Sequence, residues 1–165
     1  MKRLVWLAVY FGSLVLSRAA EWLPVEKQVA EAVAPDQTSV VHFWAPWCPN
    51  CNAELSNETW AKFISANPNV KFIFVTVWSR DQGDGRALLA KNGIAKQKNF
   101  RLVMHPNTST RVDEKATSFM GLPLTWIPAT WVFRSGKLRY ALNYGELRFP
   151  VLQQLLKDTE ENWDR

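Results

Sequence analysis

Short apolar runs rich in β-branched and aromatic residues alternate along this chain with segments whose apolar positions recur every three or four residues, the pattern of strands separated by helices. Val25, Val29, Ala32 and Val33 share one helical face, and Ala34-Pro35-Asp36 closes that helix. Thr38 to Trp44 is nearly continuous in apolar residues, as expected of a strand covered on both faces, and Val70 to Trp78 repeats the pattern. Between them the spacing predicts one helix from Pro49 to about Ala66, with Leu55, Trp60, Phe63 and Ile64 turned inward and Asn67-Pro68-Asn69 closing it. Arg86 to Asn92 reads as a short helix ended by Gly93, Arg101 to Met104 as a short strand, and Arg111 to Phe119 as a helix closed by Gly121. Arg134-Ser135-Gly136-Lys137 reads as a hairpin turn joining Ala129–Phe133 to Leu138–Asn143. Leu147 to Trp163 is the closing helix, with Pro150 near its start and Val151, Leu152, Leu155 and Leu156 as its apolar stripe. The fold class is α/β.

Length and charge narrow this picture. A chain of 165 residues, 47% hydrophobic, can bury one core and is too short for two ordinary domains. Lys2-Arg3, the apolar run from Leu4 to Leu16 broken only by Gly12-Ser13, and the small residues of Ser17-Arg18-Ala19-Ala20 form a secretory signal peptide over residues 1–20, followed by one domain over residues 21–165. The run is short for a membrane span, which needs about 20 residues; an uncleaved leader serving as an N-terminal membrane anchor is the alternative. Lys2, Arg3 and Arg18 lie in the leader, so 17 of the 20 basic residues face 15 acidic ones in the rest of the chain, a balance of +2. No nucleic-acid partner is implied.

The chemistry is concentrated in Cys48-Pro49-Asn50-Cys51, which holds both cysteines of the chain at a strand-to-helix junction. Two intervening residues let one helical turn bring the sulfurs within bonding reach. Cys48, at the helix start, meets unpaired N–H groups and the positive end of the helix dipole, which favour the attacking thiolate. Pro49 suits the first helical position because it has no N–H to lose. Cys51, one turn deeper, is the more shielded and acts second, resolving the mixed disulfide formed by Cys48. A zinc site is the rival reading, but His42 and His105 are the only histidines and supply no second ligand pair of the usual spacing. A structural disulfide is the other, yet so short a loop restricts the unfolded chain little. In an exported protein with no further cysteine, the pair reads as reserved for exchange.

The run Phe43-Trp44-Ala45-Pro46-Trp47-Cys48-Pro49-Asn50-Cys51 resembles the signature of the thioredoxin superfamily, and the resemblance covers about residues 24 to 160. It implies a thioredoxin fold, a central mixed β-sheet flanked by helices. Glu54, three residues past Cys51, resembles the glutamate of the TlpA-like and ResA-like proteins of cytochrome c maturation, where it modulates cysteine protonation; a nearby carboxylate raises a thiol pKa. Cys51 and Pro128 stand 77 positions apart, more than a minimal thioredoxin needs, and the surplus resembles the TlpA-like central insertion. His42 stands six before Cys48, where thioredoxin has a buried aspartate, and is a candidate proton carrier whose charged form would favour a thiolate. The resemblance further implies a cis peptide at Ile127-Pro128, turning the backbone of Ile127 towards the disulfide for pairing with an extended partner. Trp44, Trp47 and Trp126 are expected to crowd one docking surface, with Trp47, Trp126 and Ile127 contacting substrate. His105, in the turn His105-Pro106-Asn107, reads as an exposed loop histidine.

These expectations describe a periplasmic or otherwise extracytoplasmic thiol:disulfide oxidoreductase that needs no metal or organic cofactor. Its partners would be protein thiols and disulfides and a membrane electron-donor dithiol protein. The resemblance favours a reductant acting on apocytochrome c or metal-site cysteines; an oxidising disulfide donor, or a copper-handling protein using the same two thiolates, are the alternatives.

Overall fold

The computed structural model describes residues 21–56, 59–143 and 147–161; the leader expected over residues 1–20 lies outside them. Helix α1 (Pro24–Val33) buries Val25, Val29, Ala32 and Val33, the face expected from their spacing. Strand β1 (Thr38–Trp44) is buried along its whole length. Helices α2 (Pro49–Leu55) and α3 (Thr59–Ala66) lead to β2 (Lys71–Thr76), and α4 (Arg86–Lys91) crosses over to β3 (Phe100–Met104). A small hairpin, β4 (Ser118–Phe119) and β5 (Leu122–Pro123), precedes β6 (Ala129–Arg134), β7 (Lys137–Leu142) and the closing helix α5 (Phe149–Glu160).

The five-stranded sheet runs β3-β2-β1-β6-β7. Strand β1 pairs parallel with β2 and antiparallel with β6, so the sheet is mixed and β1 is its centre, which explains the unbroken apolar run. Ser135 and Gly136, at φ of 49° and 76°, make the tight β6–β7 turn, a conformation that hairpins with two-residue loops favour. The sheet's carboxyl end carries the cysteines, because β1 delivers the chain to residues 45–48 and α2 carries it back.

Three expectations are corrected. The helix expected over residues 49–66 is two helices: Ser56 is extended (φ −62°, ψ 157°), its hydroxyl donates to the Ala53 carbonyl at 2.6 Å, and the Thr59 hydroxyl donates to the Glu54 carbonyl at 2.7 Å. Those side chains satisfy the carbonyls that end α2, so the break costs little. The helix expected over residues 111–119 is a turn-containing loop followed by β4. Phe119 is wholly buried against Phe43, and the Glu26 carboxylate accepts the Met120 N–H at 2.5 Å, contacts that override local helical spacing. In α5, Leu152 and Leu156 are buried but Val151 is exposed, and the expected last turn reaches residues outside those described.

Candidate active site

The local chain dictates how the two sulfurs are presented. Cys48 is the N-cap of α2 (φ −76°, ψ 116°), Pro49 occupies the first helical position, and the Cys48 N–H donates to the Ala45 carbonyl at 3.1 Å. The Cys51 N–H points at Cys48 Sγ from 3.3 Å, and the Asn52 amide ties the loop down by donating to the Pro46 carbonyl at 3.0 Å. Both cysteines are thiols here; Cys51 is fully buried and Cys48 is 5% exposed.

Their acidities diverge. The hydrogen bond from the Cys51 thiol, helped by backbone N–H groups of Cys51 and Asn50, brings the Cys48 pKa down to about 6 against the opposing effect of burial. Burial pushes Cys51 strongly up; its donation to Cys48 and the negative charges of Cys48 and Glu54 push the same way. The pair is thus one thiolate with one retained proton.

Behind Cys51 lies a buried polar cluster. His42 is fully buried on β1, its Nδ1 2.9 Å from Thr130 Oγ1 on β6 and its Nε2 3.7 Å from Glu54 Oε2. Glu54 Oε1 accepts the Leu147 N–H at 3.2 Å. The aromatic rings of Trp60 and Phe74, each 4.7 Å from the His42 ring, exclude water. Burial lowers the His42 pKa to about 3, so the ring is neutral at physiological pH and the charged form expected to favour a thiolate is not the resting one.

Acidification tests that burial. Unfolded, His42 takes up a proton near its ordinary value of about 6.5; folded, it resists down to about 3. The associated stability is complete above about pH 6.5 and is lost progressively as pH falls towards 3, by about 5 kcal/mol in all. Melting temperatures measured from pH 7 to pH 4 should fall more steeply for the wild type than for His42→Gln. Parallel slopes would assign the titration to another group.

The opposite side of Cys48 is open to partners. A pocket of about 340 Å³ is lined by Trp47, Cys48, Trp78, Trp126, Ile127 and neighbouring side chains. The Ile127-Pro128 peptide is cis, as expected, and the Ile127 carbonyl oxygen lies 4.0 Å from Cys48 Sγ. Trp126 is 46% exposed at the rim, while Trp47 is half-buried and its indole N–H donates to the Trp78 carbonyl. Trp44 is corrected: it is fully buried under the sheet's end. It packs so closely on Gly85 (φ 75°) that a Cβ there would come within 2.8 Å of its ring and 2.9 Å of Pro46 Cγ. His105 is corrected as well. It is buried, its backbone N–H extends the β2–β3 pairing by donating to the Thr76 carbonyl, its Nδ1 accepts the Asn107 N–H at 3.1 Å, and burial lowers its pKa.

Cys48, Cys51, Glu54, His42, Pro128, Ile127, Trp47 and Trp126 therefore converge on one end of the sheet. Thr130, Trp78, Arg80 and Lys115 join the site without a sequence expectation, and Trp60, expected only as a packing residue, walls the His42 ring. Thr130 and Trp60 carry no signal beyond strand and helix packing. The polar stretch from Ser79 to Gly85, which leaves a strand's carboxyl end as ligand-site loops do in open α/β sheets, is the signal that points to the neighbourhood of Trp78 and Arg80.

A family model described as a thioredoxin-like domain matches residues 25–160, and the chain belongs to that family. Its mixed sheet and flanking helices are the thioredoxin fold, and its dithiol is placed for thiol–disulfide exchange. Comparison with curated proteins finds no match. Among solved structures, a secreted disulfide oxidoreductase of Mycobacterium tuberculosis, described as homologous to E. coli DsbE, is similar at 22% identity and a TM-score of 0.56, over 77% of this chain and 85% of that one. A DsbF homologue from Corynebacterium diphtheriae aligns at 17% identity and a TM-score of 0.55, over 77% and 74% of the two chains. A putative thioredoxin from Neisseria meningitidis gives 18% and 0.55, over 81% of each.

Proposed function

We propose that this protein is an extracytoplasmic thiol:disulfide oxidoreductase working as a reductant of protein disulfides. The observation that carries the proposal is the asymmetric pair: a Cys48 thiolate facing an open pocket and a Cys51 thiol kept protonated inside. The Cys48 thiolate attacks one sulfur of a substrate disulfide, the S–S bond breaks, and the other substrate sulfur leaves as a thiolate. Cys51 then loses its proton and attacks Cys48 Sγ, the mixed disulfide breaks, and the substrate departs with two thiols. Two electrons pass from the enzyme dithiol to the substrate, and a second dithiol protein, as donor, must restore them.

A magnitude supports the reducing direction. A thiolate at about 6 lies near the value of about 7 in thioredoxin and far from about 3.5 in DsbA, where stabilisation of the reduced form makes a strong oxidant. Apocytochrome c or metal-site cysteines are the proposed substrates, on the resemblance of Glu54 and the C-x-x-C run to TlpA-like and ResA-like proteins. Export is supported by the leader pattern and by the secreted M. tuberculosis protein that shares the fold. Among the described residues no helix is long and apolar enough to cross a membrane.

The reduction potential of the Cys48–Cys51 pair, poised against a thiol buffer, tests the direction. The reducing reading expects a value nearer to that of thioredoxin, about −270 mV, than to that of DsbA, about −120 mV. A value close to −120 mV would make the protein a disulfide donor instead.

A further inference from the structure

The pocket beside Cys48 carries charges that disulfide exchange alone does not require. The Arg80 guanidinium lies 3.8 Å from the centroid of the Trp47 ring, and Lys115 Nζ lies 4.7 Å from that of Trp78. Both tryptophans line the pocket, and the Trp47 indole N–H donates to the Trp78 carbonyl, so the two cations stand on two linked rings. Neither cation has a carboxylate within ion-pair distance among the described residues. The acidic groups of the adjoining loops are engaged elsewhere: Asp81 accepts from the Thr108 hydroxyl at 2.7 Å, and Asp113 and Glu114 pair with Arg111 at 3.3 and 2.9 Å. Trp78, Arg80 and Asp81 all adopt left-handed backbone conformations (φ 48°, 53° and 60°), rare for such side chains, and the Arg80 N–H donates to the Thr108 carbonyl at 3.0 Å. The chain is thus turned back on itself in a way that holds the guanidinium over Trp47.

From this arrangement we infer that the pocket selects extended protein segments carrying a carboxylate side chain beside the cysteine that Cys48 attacks. This rests on the exchange reading of the pair. A space of about 340 Å³ admits a side chain or two next to the sulfur, and an aspartate or glutamate entering it meets two cations at once. The tryptophan walls limit water, which strengthens those attractions; a lysine in the same place meets only like charge. The chemistry distinguishes substrates by their flanking charge, which the cysteine pair itself does not read.

The test uses the full chain and two sets of short peptides with acidic, neutral or basic residues flanking one position. In the first set that position is serine, and binding is read by fluorescence anisotropy without any exchange. In the second it is a cysteine in a disulfide with a small thiol, and the rate of reduction is read. The acidic serine peptide should bind about 5- to 10-fold tighter than the neutral one, a margin that shrinks with added salt, and the reduction rates should rank likewise. An Arg80→Gln/Lys115→Gln variant should lose the preference, and Arg80→Glu/Lys115→Glu should turn it towards basic peptides. Equal wild-type affinities for acidic and neutral serine peptides, or an acidic preference that survives the glutamate substitutions, would overturn the inference. If no cysteine peptide is reduced while the serine peptides still rank acidic first, selectivity of the pocket stands and the exchange reading falls.

Discussion

Serine in place of Cys51 should leave the protein stalled on its substrate as a persistent mixed disulfide, and serine in place of Cys48 should end exchange altogether. Cys48 is the sulfur that borders the pocket, accepts the Cys51 N–H at 3.3 Å and has its pKa brought down to about 6. A serine hydroxyl there stays protonated at neutral pH and offers no comparable nucleophile, so turnover should fall roughly a thousandfold or more. Cys51 is buried and protonated, so it cannot initiate attack on an external disulfide in its partner's absence. With Cys51→Ser, the first step proceeds and the second cannot. Non-reducing gel analysis after exposure to a model disulfide substrate checks both outcomes: an adduct with Cys51→Ser and none with Cys48→Ser. An adduct on Cys51 in the Cys48→Ser protein would invert the roles.

The lowered pKa of Cys48 adds only modestly to the rate of the first step. At pH 7 a pKa of about 6 gives about 30 times more thiolate than the ordinary value of about 8.5, but the intrinsic nucleophilicity falls by roughly tenfold over the same change. The net gain is about two- to threefold. In the second step Cys51 attacks Cys48 Sγ and the substrate sulfur is the leaving group, so the acidity of the substrate thiol, not that of Cys48, sets how readily that bond breaks. The hydrogen bond from Cys51 and the end of α2 therefore serve mainly to make Cys48 the sulfur that attacks at neutral pH, with a modest gain in rate.

Much of this arrangement is legible in the residues themselves, and what is not has an identifiable cause. The β-branched and aromatic runs of β1 and β2 mark central strands because burial on both faces leaves no polar position to alternate with. The C-x-x-C pair, Pro49 and Ile127-Pro128 are readable because each depends on immediate neighbours. The break at Ser56 is not, since it turns on whether hydroxyls of Ser56 and Thr59 prefer backbone carbonyls to solvent. Nor is the β4–β5 hairpin, whose Met120 N–H is held by Glu26, 94 positions away. Burial of His105 and Trp44 depends on what the sheet's end packs against. Arg80 and Lys115 come together over Trp47 and Trp78 from two separate loops. Local periodicity carries no trace of such meetings.

The second step poses a problem that Glu54 is placed to solve, and Glu54→Gln should slow resolution of the mixed disulfide by about 10²-fold. Cys51 is fully buried and its pKa is strongly raised, so at neutral pH it attacks only if an interior group takes its proton as it does so. Glu54 is a buried carboxylate whose charge reaches Cys51 and whose Oε2 lies 3.7 Å from neutral His42. Two roles for it predict opposite signs. If Glu54 acts only through its field, glutamine removes a charge that opposes the thiolate, the Cys51 pKa falls, and resolution speeds up. If Glu54 receives the proton, glutamine removes the acceptor, and resolution slows even though the Cys51 pKa has fallen. Glutamine can keep the bond from the Leu147 N–H through its carbonyl oxygen, so the comparison leaves that contact available. Rapid-quench measurement of mixed-disulfide decay, together with a titration of Cys51 in the same variant, separates the two. We expect a lower thiol pKa and a slower step together; a faster step would confine Glu54 to electrostatics and leave proton removal to His42 or water.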